Sequence, residues 1–252
     1  MPYIRFGNGQ RTFVIIIGMN MTGLAGLAGP VSDAYRIFTD DYTVYVFDRI
    51  DPLPDDYSVR EMAHDIAAAM RQLGLSSADV MGVSQGGMIA QYLAVDAPAL
   101  VHALALCSTW SRPGDIGREI FEKWTSLAAR GDSVGIYRSF FDLVYTHLDV
   151  NLLRLLETTG TPEQCRRFGI LARACRDGET WNVLDKIRCP ALVVGAGRDR
   201  MISRQAPVDL AAKLGCELSI YEDFGHAAYD EAPDYKERML RFFRRSRVDD
   251  FA

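Results

Sequence analysis

The feature that most narrows the fold is a rhythm of six short apolar runs: TFVIII at 12–17, TVYVF at 43–47, ADVMGV at 78–83, HALALC at 102–107, ALVVGA at 191–196 and ELSIY at 217–221. Nearly continuous hydrophobicity, rather than strict alternation, is what strands buried on both faces require. Helical patterns near 58–73, 85–96, 204–214 and 231–245 take turns with these runs. Such an order predicts a largely parallel α/β sheet with helices on both sides. The 252-residue length suits one layered domain carrying an insertion.

The rhythm stops between Trp110 and about Ile187, where helical segments follow one another with no strand-like run. Gly131 stops one helix, Asp132 or Ser133 can cap the next, and Thr161-Pro162-Glu163 supplies a cap followed by proline at the first helical position. The predicted organisation is therefore a core of 1–109 and 188–252 with a helical cap inserted at 110–187. An insert there can lie over the C-terminal edge of the sheet, where open α/β folds keep their ligand sites. It contains all three tryptophans, and Trp110, Trp124, Phe141 and Tyr145 are its candidate pocket-lining side chains. The alternative is that these rings pack the insert itself, since its share of aromatics is close to that of the whole chain.

Composition removes several function classes. A net charge of −5 gives no footprint for nucleic acid, and the basic group Arg241, Arg244, Arg245 and Arg247 falls near the end of the last predicted helix, where cations complement the helix dipole. The five cysteines form no CxxC pair, and their odd number argues against a disulfide framework. FVIII, the longest apolar run near the N-terminus, is far too short for a membrane span or a signal-peptide core. No GK[ST] phosphate loop or HExxH metal pair is present. The expectation is a cytoplasmic protein without metal, cofactor, nucleic-acid or membrane partner.

Chemistry is concentrated in GVSQGG, residues 82–87, set between the ADVMGV strand and the helical MIAQYLAV. A very sharp strand-to-helix turn would thrust Ser84 above the sheet edge and crowd positions 82 and 86, which explains Gly82 and Gly86. The turn also places Ser84 at a helix N-terminus, where free N–H groups favour a developing negative charge. A serine hydroxyl needs a base, and the base needs an orienting carboxylate. Of four histidines, His64 falls in an amphipathic helix, His102 opens a strand and His147 lies in the insert, whereas His226 follows the ELSIY strand at the same sheet edge as Ser84. Asp199 follows the preceding strand and gives the order Ser84, Asp199, His226; Asp48 and Asp223 are the other carboxylates near strand ends.

Taken together, GVSQGG, CPALVVGAGRD, FGHAAYDEAP and the helical insert after the sixth strand make the chain, from about Phe13 to Phe243, resemble the α/β-hydrolase superfamily. GVSQGGMIAQYLAVDAP is similar to its compact esterase and oxoadipate enol-lactonase branch. The resemblance implies an eight-stranded, mostly parallel sheet, and nucleophile, acid and base roles for Ser84, Asp199 and His226. It assigns an oxyanion hole to the backbone amides of Met19 and Gln85. Many relatives follow the first buried strand with HisGly, whereas this chain has Ile17 and Gly18 there.

The reading that follows is a serine hydrolase of a small ester, thioester or lactone, acting on an acyl substrate through an acyl-enzyme. Two rivals are a weakly catalytic or non-catalytic receptor on the same fold and a dinucleotide-binding oxidoreductase. For the second, Gly18 and Gly23 frame a glycine-rich loop and Asp48 ends the next strand, but Asn20 takes the middle position that must be glycine.

Overall fold

A computed structural model describes residues 1–147 and 160–248. Residues 148–159 of the predicted insert and the last four of the predicted core lie outside the described residues. Seven strands form one sheet: β1 (Tyr3–Phe6), β2 (Arg11–Ile16), β3 (Tyr42–Phe47), β4 (Ala78–Val83), β5 (Val101–Cys107), β6 (Ala191–Ala196) and β7 (Glu217–Tyr221). Their spatial order is β1-β3-β2-β4-β5-β6-β7. All neighbours are parallel except β1, which runs antiparallel to β3 with Tyr3 opposite Phe47.

The sheet thus corrects the expected eight strands to seven among the described residues, and the insert follows the fifth strand rather than the sixth. The six apolar runs are all strands. The seventh, β1, escaped the hydrophobic pattern because it is a four-residue edge strand with no fully buried residue.

Alternate residues of the central strands enter two separate cores. Val14, Ile16, Val80, Leu104 and Leu106 face one layer of helices. Phe13, Ile15, Met81, Ala103, Ala105 and Cys107 face the other. On the first side lie α2 (Val59–Gln72), α3 (Gln85–Asp96) and α7 (Gln205–Leu214). Helix α2 buries Val59, Met62, Ala63, Ile66, Ala67 and Met70 as one stripe and starts with a capping box between Ser58 and Glu61. On the second side, α1 (Ala28–Ala34) packs Val31 against the core, and α9 (Tyr235–Val248) buries Tyr235, Met239 and Phe243 with Tyr35 and Phe38.

The predicted last helix at 231–245 is displaced. A single turn, α8 (Ala228–Glu231), precedes a break containing Pro233, and α9 starts only at Tyr235. Proline biases the residue before it away from helical geometry. Three arginines of the C-terminal basic group reach across to acids rather than standing free: Arg244 to Asp41, Arg245 to Glu217 and Arg247 to Asp79.

The insert contributes α4 (Asp115–Ala129), α5 (Ser133–Val144) and α6 (Pro162–Asp177). Asp132, one of the two expected caps, accepts from Gly135 N–H at 2.8 Å, and Thr161 forms a capping box with Gln164 ahead of Pro162. Helix α6 crosses the C-terminal ends of the strands, where Arg167 binds Asp48 and the Leu171 carbonyl accepts from the Gln85 side chain. Among the described residues, no helix is long and apolar enough to cross a membrane.

Candidate active site

The strand order reverses direction at the β2/β4 pair, since the chain steps from β2 outward to β3 and then back past β2 to β4. Loops leaving two such strands diverge and open a crevice at their C-terminal ends. Ser84 leaves β4 at that point with φ 54° and ψ −122°. Such a conformation in a non-glycine residue costs on the order of 1–3 kcal/mol and persists only when its surroundings fix it. Here the Ser84 N–H donates to Cys107 O at 2.9 Å, and its carbonyl accepts from Gly87 N–H at 2.9 Å and from Thr109 Oγ1 at 2.7 Å. Gly86 lies so close to the Ile16 and Ile17 carbonyls that no Cβ fits, and a Cβ on Gly82 would stand 2.5 Å from Gly86 O. The elbow glycines are therefore demanded by contact between β2, β4 and α3.

His226 stands in the turn after β7 and is 1% exposed. Its Nε2 lies 2.9 Å from Ser84 Oγ, and its Nδ1 lies 2.8 Å from Asp199 Oδ2. The other carboxylate oxygen of Asp199 accepts from Met201 N–H at 2.8 Å and from Ile202 N–H at 3.0 Å. An ionised carboxylate only accepts, so Nδ1 carries the proton and Nε2 is left to accept from the serine hydroxyl. Three side chains from loops after β4, β6 and β7 thus form one buried hydrogen-bonded line, with Ser84 4% exposed. The other two carboxylates do not enter it: Asp48 binds Arg167 at 2.7 Å, and Asp223 pairs with Arg198 at the surface. Of the remaining histidines, His64 contacts Asp96, His102 contacts Asp79, and His147 contacts the Asp223 carbonyl.

The loop after β2 lies against the serine, since a Cβ built on Gly18 would come 3.2 Å from Ser84 Cβ. Among the described residues, neither Met19 N–H nor Gln85 N–H donates to a backbone carbonyl. The carbonyl of Gly18 and the side chain of Gln85 share a partner that sequence reasoning missed. Arg49 donates to Gly18 O at 2.9 Å and to Gln85 Oε1 at 2.6 Å, while Gln85 Nε2 donates to Leu171 O. Burial lowers the pKa of the Arg49 guanidinium, and the same burial pushes the Cys175 thiol beside it up to about 12. Arg49 stands just after a strand-like run beside Asp48, and no local pattern shows that its partners are 31 and 36 residues away.

The predicted pocket aromatics separate into two groups. Trp110 stacks on Phe121, and Trp124 packs among Phe121, Phe140 and Phe168 while donating Nε1–H to Ser139 at 3.0 Å, so this cluster fills the insert. Phe141 stacks on Tyr137 and meets Tyr145 at a tilt, and the Tyr145 hydroxyl meets Asp230, four residues after His226. In the glycine-rich loop, Asn20 Oδ1 accepts from Gly23 N–H, closing a turn on itself, and Asp48 is occupied by Arg167.

Comparison with known proteins agrees with this architecture. The chain is similar to a protein named "Putative carbamate hydrolase RutD" of Pseudomonas syringae pv. syringae, with 27% identity over 242 residues, 88% of this chain and 91% of the relative. Its structure is similar to that of the enol-lactonase from Burkholderia xenovorans, with a TM-score of 0.83 and 18% identity, covering 96% of both chains. The esterase from Exiguobacterium antarcticum aligns with a TM-score of 0.79 and 18% identity, over 96% of this chain and 94% of that one. The profile of the alpha/beta hydrolase fold matches residues 31–233, which span the serine elbow, the insert and the His226 turn, and the chain belongs to that family.

Proposed function

We propose that the protein is a serine hydrolase that cleaves a small ester, thioester or lactone through an acyl-enzyme. The observation that carries this reading is the line Ser84 Oγ, His226 Nε2, His226 Nδ1, Asp199 Oδ2, with separations of 2.9 and 2.8 Å. Ser84 Oγ attacks the carbonyl carbon as its proton passes to Nε2. The imidazolium that forms is stabilised by Asp199, whose second oxygen is already held by two backbone N–H groups. The tetrahedral oxygen takes its hydrogen bonds from the unspent Met19 and Gln85 amides. Collapse expels the leaving group with the proton from Nε2, leaving the acyl group on Ser84. Water then gives its proton to His226, attacks the acyl carbon and releases the acid, and Ser84 recovers its proton.

Support from the comparisons is at the level of reaction type. The names of the relatives include a carbamate hydrolase, an enol-lactonase and an esterase, each of which acts on a carbonyl. The test is labelling by a fluorophosphonate followed by intact-mass measurement. The wild type is expected to gain one adduct, and Ser84→Ala and His226→Ala to gain none. Adduct formation that persists in Ser84→Ala overturns the nucleophile, and an unlabelled, folded wild type points instead to a receptor on this fold.

A further inference from the structure

We infer that Arg49 is a positioning residue that holds both amides of the oxyanion site in place, an inference that rests on the serine-hydrolase reading above. Arg49 follows β3 and is 1% exposed, a costly placement for a guanidinium unless specific partners require it. Its neighbour Asp48 does not account for it. Arg167 occupies Asp48 Oδ1 at 2.7 Å, whereas Arg49 approaches the same oxygen only to 3.5 Å. Two guanidinium groups thus face one carboxylate, and the shorter bonds of Arg49 go elsewhere, to Gly18 O and Gln85 Oε1.

Those two acceptors have one thing in common. Gly18 O belongs to the peptide that carries Met19 N–H, and because the peptide unit is planar and trans, fixing its carbonyl on one side fixes its N–H on the other. Gln85 carries the second amide on its own backbone at the first position of α3. Its side chain is gripped by Arg49 on one arm and by Leu171 O and Cys175 Sγ on the other, so the residue cannot turn. A single fork-shaped cation therefore ties the loop after β2 to the start of α3. Met19 and Met21 pack this loop into the core, but among the described residues its other side-chain hydrogen bond, Gly23 N–H to Asn20, is internal, so the polar tie of Gly18 to the body of the domain is Arg49. At the Met19 peptide the positive charge also sits at the carbonyl end, behind the N–H donor, where it favours a negative oxygen developing in front of that donor.

The test compares wild type, Arg49→Met and Arg49→Lys. Arg49→Met removes the fork but leaves Asp48 and Arg167 as a balanced pair, so stability and catalysis can part company. With p-nitrophenyl acetate, Arg49→Met is expected to lower kcat about 10²-fold, the loss typical of one oxyanion donor, with KM changed by less than about threefold. Inhibition by a trifluoromethyl ketone, which mimics the tetrahedral state, should weaken by the same factor as kcat, while the apparent pKa of the base in the pH–rate profile stays in place. Arg49→Lys, able to reach one acceptor, should recover part of the loss. A folded Arg49→Met with wild-type kcat, or a loss confined to KM, overturns the inference, and if that variant does not fold, the same readouts on Arg49→Lys decide. Turnover that depends on Ser84 but ignores Arg49 removes this inference alone, whereas a wild type whose Ser84 neither labels nor turns over removes the parent reading and this one with it.

Discussion

At Asp199 the two carboxylate oxygens have different duties, and that asymmetry makes a substitution unusually informative. Oδ1 takes two backbone N–H groups and Oδ2 takes the imidazole. In Asp199→Asn the amide carbonyl must occupy the Oδ1 position to accept from Met201 and Ile202, which turns the NH2 toward Nδ1. Nδ1 then has to accept, the proton moves to Nε2, and Nε2 can no longer receive the serine proton. The expected outcome is a fall in kcat on the order of 10⁴-fold, the typical loss when the base is held in the wrong tautomer, with a folded protein and little change in melting temperature. Steady-state kinetics and a thermal melt check it, and retention of most activity would show that Asp199 does not set the tautomer. Such single residues were legible because each stands just after a strand, where the sheet delivers it to one edge. Arg49 was not, because its partners are a backbone carbonyl and a buried amide that only the folded chain brings near.

Strand β4 shows how much an element can hide from a hydrophobic reading. ADVMGV is a buried run, yet its second residue is a fully buried aspartate. Asp79 accepts from Tyr42 OH at 2.8 Å and Arg247 Nε at 3.1 Å, and lies 2.7 Å from His102 Nδ1, so β3, β5 and α9 converge on one carboxylate. Burial, and then the contact with the carboxylate, raise the Tyr42 pKa, so the phenol stays protonated and donates. Asp79→Ala would leave Tyr42 without its acceptor and free the Arg247 end of α9, at an expected cost of about 3–5 kcal/mol, the usual loss when one member of a buried charged group is removed. Chemical denaturation measures that cost. Ser84 lies beyond the opposite end of the same strand, so fluorophosphonate labelling of the folded fraction should keep its wild-type rate. Both the continuous strands and the capped helices announced themselves in the sequence because their causes are local: burial on two faces, or a Ser, Thr or Asp side chain bonded three residues on. The edge strand β1 has neither cause, and the expectation of an eighth strand, which the described residues do not form, rests on the resemblance and not on any apolar run.

For the molecule as a whole, the question is how an insert that departs after β5 and returns before β6 is kept in register with a site built from the sheet. One contact set is at the serine side, where α6 meets Gln85 and Asp48. The other is at the histidine side: Ala227 N–H donates to Val144 O at 2.8 Å, and Glu231 accepts from the Thr146 and His147 amides at 3.1 and 2.7 Å. The end of α5 therefore rests on the turn that carries His226, and Gly225 passes against the Thr146 hydroxyl too closely for a side chain. Glu231 gathers the Thr146 and His147 amides beyond α5, so Glu231→Ala should release this corner without opening the core. Losing two hydrogen bonds to a charged acceptor, screened by partial exposure, is worth roughly 1–1.5 kcal/mol, which corresponds to about tenfold faster amide exchange in peptides covering 144–147 and 225–228. Exchange in β4 and β5 should not change, because those strands open only with the whole domain. Hydrogen-exchange mass spectrometry separates the two cases: faster exchange confined to those peptides, with slower turnover, would show that the insert steadies the histidine turn. Wild-type exchange in those peptides would mean that the turn holds its geometry from the sheet alone.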